Sequence, residues 1–164
     1  MKKISIVLAD DHTILRNRLR IILNQVRDFK VVGEAENGRE CLEMVEELSP
    51  DILLMDISMP GLNSLEATRD IKRRYPKVKV IILGVYATEE YVYQLFSAGA
   101  LGYLLKKAAQ TDLVNAIRIV YGGGSFLSPA ISENAVLEYI ARTQELHCDD
   151  SYDFLTKRKE MHGG

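Results

Sequence analysis

Several features that define special classes of protein are scarce or missing in this chain of 164 residues. It has no tryptophan, four prolines and two cysteines, and 47% of its residues are hydrophobic. Cys41 and Cys148 are too few for a disulfide framework and too far apart for a zinc-ligand spacing. The composition excludes a disordered chain, a collagen and a disulfide-rich mini-protein, and it favours a reduced, cytoplasmic protein.

Neither sign of charge is in excess. The chain has 21 basic and 23 acidic residues, for a formal net charge of −2, so no global basic field attracts it to nucleic acid or anionic lipid. A run of about 18 apolar residues is also missing, and the first apolar segment ends at Ala9, which is too short for a signal peptide. We therefore expect no membrane partner, and contact with DNA only through a local part of the chain.

What the sequence does contain, over residues 1–121, is a strict alternation of two kinds of segment. Short apolar runs of the kind found in strands covered on both faces predict strands at residues 4–9, 31–35, 52–55, 78–83 and 101–105. Amphipathic stretches predict helices at residues 13–26, 39–48, 64–74, 89–98 and 111–121. This alternation predicts an α/β fold with a five-stranded, parallel, doubly wound sheet of the flavodoxin-like order 2-1-3-4-5.

The character of the sequence changes after Tyr121. The run Gly122-Gly123-Gly124-Ser125 indicates a flexible break, residues 129–142 have the pattern of one more amphipathic helix, and residues 144–153 are polar and acidic. Residues 154–164 open with an apolar pair and the basic run Lys157-Arg158-Lys159. We predict a first domain at 1–121, a linker with one C-terminal helix at 122–153, and at 154–164 the stub of a further domain.

Charged side chains follow three of the predicted strands. Asp10 and Asp11 close strand one, Asp56 closes strand three and Lys106 follows strand five. The carboxyl ends of parallel strands meet at one edge of a sheet, where three carboxylates repel one another unless a cation compensates them. Mg²⁺ prefers such oxygen ligands, and together with a lysine it suits phosphoryl chemistry on a carboxylate nucleophile.

The residues allow a provisional division of roles. Asp56 is the candidate nucleophile, because strand three lies centrally in the sheet, and Asp11 is the better metal ligand. Asp10 binds the metal directly or through water, and the Ser58 carbonyl offers a neutral oxygen. A single aspartate after a strand is often only a helix cap, but capping does not explain charged groups at the ends of three strands. His12 is expected to be a loop residue and not a ligand.

Three segments resemble the receiver domain of bacterial two-component response regulators. They are Val-Leu-Ala-Asp-Asp-His at 7–12, Leu-Met-Asp-Ile-Ser-Met-Pro-Gly at 54–61 and Gly-Ala-Leu-Gly-Tyr-Leu-Leu-Lys at 99–106. Within them, Ala-Asp-Asp-His, Met-Pro-Gly and Gly-Tyr-Leu-Leu-Lys are similar to the NarL/FixJ subfamily, whose members carry a LuxR-type helix-turn-helix domain. Residues 154–158 look like the first residues of that domain, although Lys159 stands where glutamate is usual.

The resemblance implies a role for each matching residue. Asp56 is the phosphoacceptor, which a sensor histidine kinase phosphorylates, and Lys106 contacts the phosphoryl group. Asp10 and Asp11 are the acidic pair of the metal site, in which Asp11 and Asp56 bind Mg²⁺ together with the Ser58 carbonyl. Phosphorylation then controls homodimerisation and transcriptional output through the DNA-binding domain, most of which is missing from this sequence. Such a domain is not an enzyme beyond slow self-phosphorylation and dephosphorylation.

One departure from the family pattern affects the switch. Gly84 stands where the family has Thr or Ser, whose hydroxyl binds the phosphoryl group and couples it to the switch aromatic, here Tyr103. From the residues alone, Tyr103 is equally well a core side chain or an aromatic that moves between buried and exposed positions. The alternative function is therefore a phosphorylation-independent receiver that acts as a dimerisation or protein-interaction module. Flavin enzymes and carboxylate-nucleophile phosphatases are disfavoured, because strand one is followed by neither a glycine-rich phosphate loop nor an Asp-x-Asp pattern.

Overall fold

The computed structural model describes residues 2–85 and 88–129. Strands and helices alternate along these residues. The strands are β1 (Ile4–Ala9), β2 (Phe29–Ala35), β3 (Ile52–Asp56), β4 (Lys79–Gly84), β5 (Gly102–Leu105) and β6 (Phe126–Leu127). The helices are α1 (Thr13–Asn24), α2 (Gly38–Leu48), α3 (Ser64–Arg74), α4 (Glu89–Ala98) and α5 (Ala109–Tyr121), and a 3₁₀ turn at Lys106–Ala108 precedes α5.

The six strands form one sheet in the order β2-β1-β3-β4-β5-β6, and every neighbouring pair is parallel. The predicted α/β class and the order of the first five strands are confirmed. The middle strand, β3, is buried along its whole length, as its uninterrupted apolar sequence predicts. The carboxyl ends of β1, β3 and β5 consequently lie along one edge of the sheet, with β4 between β3 and β5.

Alternate residues of the strands face two layers of helices. One face of the sheet carries Ile6, Leu54 and Leu104. These side chains form a core cluster with Leu19 of α1 and Leu113 of α5. On the other side, Gly33 of β2 lies against α2 side chains. Helices on both faces are what right-handed crossovers between parallel strands require. No helix in the described part of the chain is both long and apolar enough to span a bilayer.

Local side chains fix where the helices on the second face begin. Asn37, Asn63 and Thr88 are N-caps whose side-chain oxygens accept hydrogen bonds from the backbone N–H three residues further on, at 2.9, 3.1 and 3.2 Å. Each cap satisfies one of the N–H groups that the first helical turn leaves unpaired. The loops before these helices are thereby held at the carboxyl edge of the sheet.

The prediction of five strands has to be corrected, because residues 126–127 add a sixth. The glycine run forms a tight turn after α5, in which Gly123 has a φ of 105° and the N–H of Gly124 bonds the Ile119 carbonyl. The chain then pairs with β5, and Ser128 accepts the Leu105 N–H through its hydroxyl at 2.9 Å. A two-residue strand has no periodicity to detect. The predicted linker helix at 129–142 and the stub at 154–164 lie, apart from residue 129, outside the described residues.

Candidate functional site

The charged residues predicted from the strand ends meet at the carboxyl edge of the sheet. Asp56 is the last residue of β3 and is fully buried, and Asp10 directly follows β1 with 2% of its surface exposed. Lys106 begins the 3₁₀ turn after β5, and its Nζ donates to Asp56 Oδ2 at 2.9 Å. The buried carboxylate of Asp56 is thus paired with a lysine that follows β5, and β4 lies between β3 and β5 in the sheet.

The loop between β1 and α1 is held by a buried arginine. Arg16 of α1 is 8% exposed; its Nη1 donates to the Asp10 carbonyl and its Nε donates to Glu34 Oε1 at 2.9 Å. The loop also closes on itself, because the His12 N–H donates to Asp10 Oδ1 at 2.9 Å. The Asp10 carboxyl group is therefore fixed from both its backbone and its side chain.

The segment after β3 turns back towards Asp56. The Ser58 N–H and hydroxyl both reach Asp56 Oδ1, at 3.1 and 3.3 Å, while Lys106 holds Oδ2. The turn is anchored at its far end, where the Ser64 hydroxyl donates to the Ile57 carbonyl at 2.8 Å. Both carboxylate oxygens of Asp56 are therefore held in place by donors.

The pKa values of the two buried carboxyl groups are shifted in opposite directions. Burial raises the pKa of Asp10 to about 6, and the neighbouring carboxylate of Asp56 adds to the effect. Burial also disfavours the charged form of Asp56, but interactions with the Asp10 carboxyl, with Lys106 and with the Ser58 N–H outweigh it and lower its pKa. Asp10 is therefore the member of the pair that takes up a proton first as the pH falls.

The donor set fits a hard divalent cation. Oxygen atoms of Asp10, Asp11 and Asp56 and a nitrogen of His12 all lie within 4.8 Å of one another. Among the described residues, Asp10 Oδ2 is the one buried side-chain oxygen or nitrogen that no hydrogen-bond donor reaches. Such an oxygen requires either a proton or a cation, and carboxylates are the ligands that Mg²⁺ prefers. The acidic pocket is thus compatible with a divalent metal site.

Gly84 and Tyr103 are packed against each other at the end of β4. Tyr103 is fully buried, and its hydroxyl donates to the Val85 carbonyl at 2.7 Å. A Cβ atom on Gly84 would lie 2.6 Å from that hydroxyl and 3.1 Å from Ile57 Cγ2. Burial raises the pKa of Tyr103 to about 12, with further contributions from Tyr91 and from the negative charge of Asp56. Of the two positions considered for Tyr103, the structure has the buried one.

Sequence reasoning missed two neighbours of the site. His12 was expected to be a plain loop residue, yet its Nδ1 lies 2.7 Å from Lys106 Nζ and 3.6 Å from Asp56 Oδ2. The position of His12 directly after two aspartates was the available signal. Arg16 was also missed, because in the sequence it is simply one of several arginines on an amphipathic helix.

A doubly wound parallel sheet with a lysine-paired aspartate and an acidic pocket at its carboxyl edge defines a receiver-like α/β domain. A search with protein-family models identifies the family: residues 6–118 match the response regulator receiver domain. The chain belongs to this family, and the resemblance noted in its sequence is confirmed.

Relatives of known description include a transcriptional regulatory protein and a response regulator. The chain is 42% identical to the transcriptional regulatory protein DegU of Brevibacillus brevis over 137 residues, which cover 84% of this chain and 58% of DegU. It is 36% identical to the response regulator GacA of Pseudomonas aeruginosa over 156 residues, which cover 95% of this chain and 72% of GacA. The chain therefore spans between about half and three quarters of the length of these relatives.

Solved structures agree with this assignment. A LuxR-family two-component response regulator from Aurantimonas sp. SI85-9A1 superposes with a TM-score of 0.77 at 31% sequence identity, and the match covers 85% of this chain and 99% of that one. The expected subfamily character, that of regulators with a LuxR-type output, is thus shared by a structural relative.

Proposed function

We propose that this chain is the receiver of a two-component system and that Asp56 accepts a phosphoryl group from a sensor histidine kinase. The proposal depends above all on one observation: Asp56 is fully buried, and its Oδ2 is bound by Lys106 Nζ at 2.9 Å. An ionised carboxylate is the form that can act as a nucleophile, and a fixed ammonium group beside it can balance phosphoryl charge.

The reaction follows from the residues around Asp56. A carboxylate oxygen of Asp56 forms a bond to phosphorus, the bond from phosphorus to the donor histidine nitrogen breaks, and that nitrogen keeps the electron pair. Lys106 pairs with the oxygens of the transferred group, and Ser58 keeps the other carboxylate oxygen in place. Because Asp56 is fully buried, the partly exposed Lys106 and His12 side chains have to shift before a donor can approach.

The acidic pocket supplies the proposed magnesium site. Asp10, Asp11 and Asp56 would hold Mg²⁺ together with the Ser58 carbonyl. When bound, the ion neutralises charge on the phosphoryl oxygens. The unpartnered Oδ2 of Asp10 supports this assignment, because none of the described residues provides a donor for that oxygen.

The response that this domain controls is proposed from the descriptions of its relatives. The chain is similar to transcriptional regulators and to a LuxR-family response regulator, so we infer that phosphorylation controls homodimerisation and a helix-turn-helix domain that contacts DNA. A location in the cytoplasm, where sensor kinases expose their phosphorylated histidine, belongs to the same proposal.

A second function is favoured by the packing of Gly84 against Tyr103. The Tyr103 hydroxyl occupies space that any side chain at position 84 would need, and the Val85 carbonyl holds it inward. A receiver whose aromatic residue is fixed inward can dimerise or bind a partner in one state. Phosphorylation-independent association is therefore the alternative proposal.

Mass spectrometry after incubation with Mg²⁺ and acetyl phosphate tests the first proposal. We expect an adduct of about 80 Da on the wild-type chain and none on Asp56→Asn, which keeps the size of the side chain but removes the nucleophile. An adduct that persists in Asp56→Asn, or its absence from both proteins, contradicts the assignment of Asp56.

Beryllofluoride, which mimics a phosphoryl group, separates the two functions. Sedimentation with and without Mg²⁺ and beryllofluoride should show a change in association state if the domain switches. An unchanged state in a protein that demonstrably binds beryllofluoride supports the phosphorylation-independent receiver instead.

A further inference from the structure

The imidazole of His12 lies inside the acidic pocket and not beside it. Its Nδ1 atom is close to one oxygen of each of the three carboxylates. The distances are 3.2 Å to Asp10 Oδ1, 3.6 Å to Asp11 Oδ1 and 3.6 Å to Asp56 Oδ2. One nitrogen therefore has all three acidic side chains around it.

These distances match those between atoms that bind the same ion. Neighbouring ligands at about 2.1 Å from a metal are about 3.0 Å apart in an octahedral site and about 3.4 Å apart in a tetrahedral one. The observed range of 3.2–3.6 Å is therefore close to what a shared ion requires. The His12 side chain is 57% exposed, so its ring can adjust by a small rotation.

A metal ion at His12 has to share space with a lysine. Nδ1 lies 2.7 Å from Lys106 Nζ, and an ammonium group can only donate. A metal bound at Nδ1 would take the place of this contact, while Lys106 keeps its hydrogen bond to Asp56 Oδ2 at 2.9 Å. Neutral imidazole is the form of histidine that binds metals.

An independent observation points to a cation in the same place. Asp10 is 2% exposed, and its buried Oδ2 has no hydrogen-bond partner among residues 2–85 and 88–129. Asp10 Oδ1 is the oxygen closest to His12 Nδ1, so the unsatisfied carboxyl group and the imidazole share one side of the pocket. Lys106 supplies positive charge to His12 and Asp56 and leaves Asp10 Oδ2 without a donor.

We propose that His12 Nδ1 is a metal ligand alongside Asp10, Asp11 and Asp56, which makes this a mixed nitrogen and oxygen site. This inference rests on the proposed acidic cation site. Imidazole nitrogen adds little to Mg²⁺ binding, but it strengthens binding of Mn²⁺, Co²⁺ and Zn²⁺. The chain should therefore bind these transition ions more tightly than a pocket of carboxylates alone.

Metal titrations of the wild-type chain and His12→Ala test the proposal. Co²⁺ binding is followed by its visible absorption, and Mg²⁺ binding by competition with Co²⁺. Because even outer-shell partners of a metal change affinity by about 10–100-fold, loss of a direct ligand should weaken Co²⁺ binding at least about tenfold. Mg²⁺ affinity should change far less. Electron spin-echo spectra of bound Mn²⁺ should show coupling to a ring nitrogen that His12→Ala lacks.

Matched controls come from the other two histidines of the chain. A variant with His147→Ala and His162→Ala keeps His12 and should bind Co²⁺ as the wild type does. Circular dichroism should show that His12→Ala is folded, which the exposure of the side chain leads us to expect. Equal or tighter Co²⁺ binding by His12→Ala, or the absence of nitrogen coupling in the wild type, overturns the proposal.

The outcome also distinguishes this inference from the proposed function. If Mg²⁺ binds and Asp56 is phosphorylated while His12→Ala leaves Co²⁺ binding unchanged, only the role of His12 fails. If neither ion binds the wild-type chain, or if Asp56→Asn binds both ions unchanged, the acidic cation site itself is wrong.

Discussion

The contact between Gly84 and Tyr103 gives a prediction whose magnitude can be derived from the structure. Gly84 is buried, and Gly84→Ala places a Cβ atom 2.6 Å from the Tyr103 hydroxyl and 3.1 Å from Ile57 Cγ2. Overpacking of this kind costs about 1–3 kcal/mol. Alanine in a strand is favoured over glycine by about 0.5–1 kcal/mol, which offsets part of the cost. We expect Gly84→Ala to lower the free energy of unfolding by about 0.5–2 kcal/mol.

Removing the Tyr103 hydroxyl should remove most of that cost. Tyr103→Phe alone loses the hydrogen bond to the Val85 carbonyl, a loss of about 1 kcal/mol. In this background the nearest ring atom is 3.2 Å from the new Cβ instead of 2.6 Å. The double variant should therefore be about as stable as Tyr103→Phe, so that the two substitutions are less than additive by about 1 kcal/mol.

Urea denaturation of the four proteins, followed by circular dichroism because the chain has no tryptophan, measures this coupling. Gly33→Ala is the control, because its Cβ would also make short contacts, with Leu48 Cδ1 at 2.8 Å and Met44 Sδ at 3.0 Å, and these contacts do not involve Tyr103. Its cost should add to that of Tyr103→Phe. If Gly84→Ala is additive with Tyr103→Phe as well, the reasoning about the shared space is refuted.

Three further predictions concern other buried polar groups. Burial raises the pKa of Asp10 to about 6, so between about pH 4 and 6 the folded state keeps a proton that the unfolded chain releases. The free energy of unfolding should therefore fall as the pH rises through this window. Urea titrations should show a smaller fall for Asp10→Asn. Arg16→Met should lower the free energy of unfolding by about 2–4 kcal/mol in the same assay. Arg20 is more exposed, and Arg20→Met should lower it by less than about 1 kcal/mol. Equal effects of the two substitutions would contradict the role of Arg16 in holding the loop. Ser128→Ala leaves the Leu105 N–H without its acceptor, so hydrogen exchange of that amide should become faster, and unchanged exchange would show that the contact does not form in solution.

The sheet was predictable because its strands are buried on both faces. The apolar run that ends at Ala9 and the one that ends beside Asp56 are too long and too uniform to be turns, and they are too short to be buried helices. Alternation with amphipathic helices then leaves few topologies to choose from. Predicted boundaries differ from the observed ones by a few residues, because caps such as Asn37 and not the apolar pattern decide where a helix begins.

The charged part of the site was predictable for the same topological reason. Asp10, Asp56 and Lys106 follow different strands, and parallel strands bring their carboxyl ends together whatever the loops do. His12 and Arg16 were not predictable, because their roles depend on where side chains point from a loop and from the first turns of α1. The direction of a side chain is set by packing and is not visible in the spacing of residues.

Tyr103 connects the two functions that remain under test. A buried phenol hydroxyl needs a partner, and here the Val85 carbonyl satisfies it at 2.7 Å only because position 84 has no side chain in the way. A phosphoryl group on Asp56 changes this arrangement only if it interacts more favourably with the protein when Tyr103 is in a second position. The shift between the two positions is limited by that difference in interaction free energy. The coupling between Gly84 and Tyr103 therefore measures how firmly the inward position is held. A large coupling makes the fixed receiver the better explanation, and a small one leaves phosphorylation room to act.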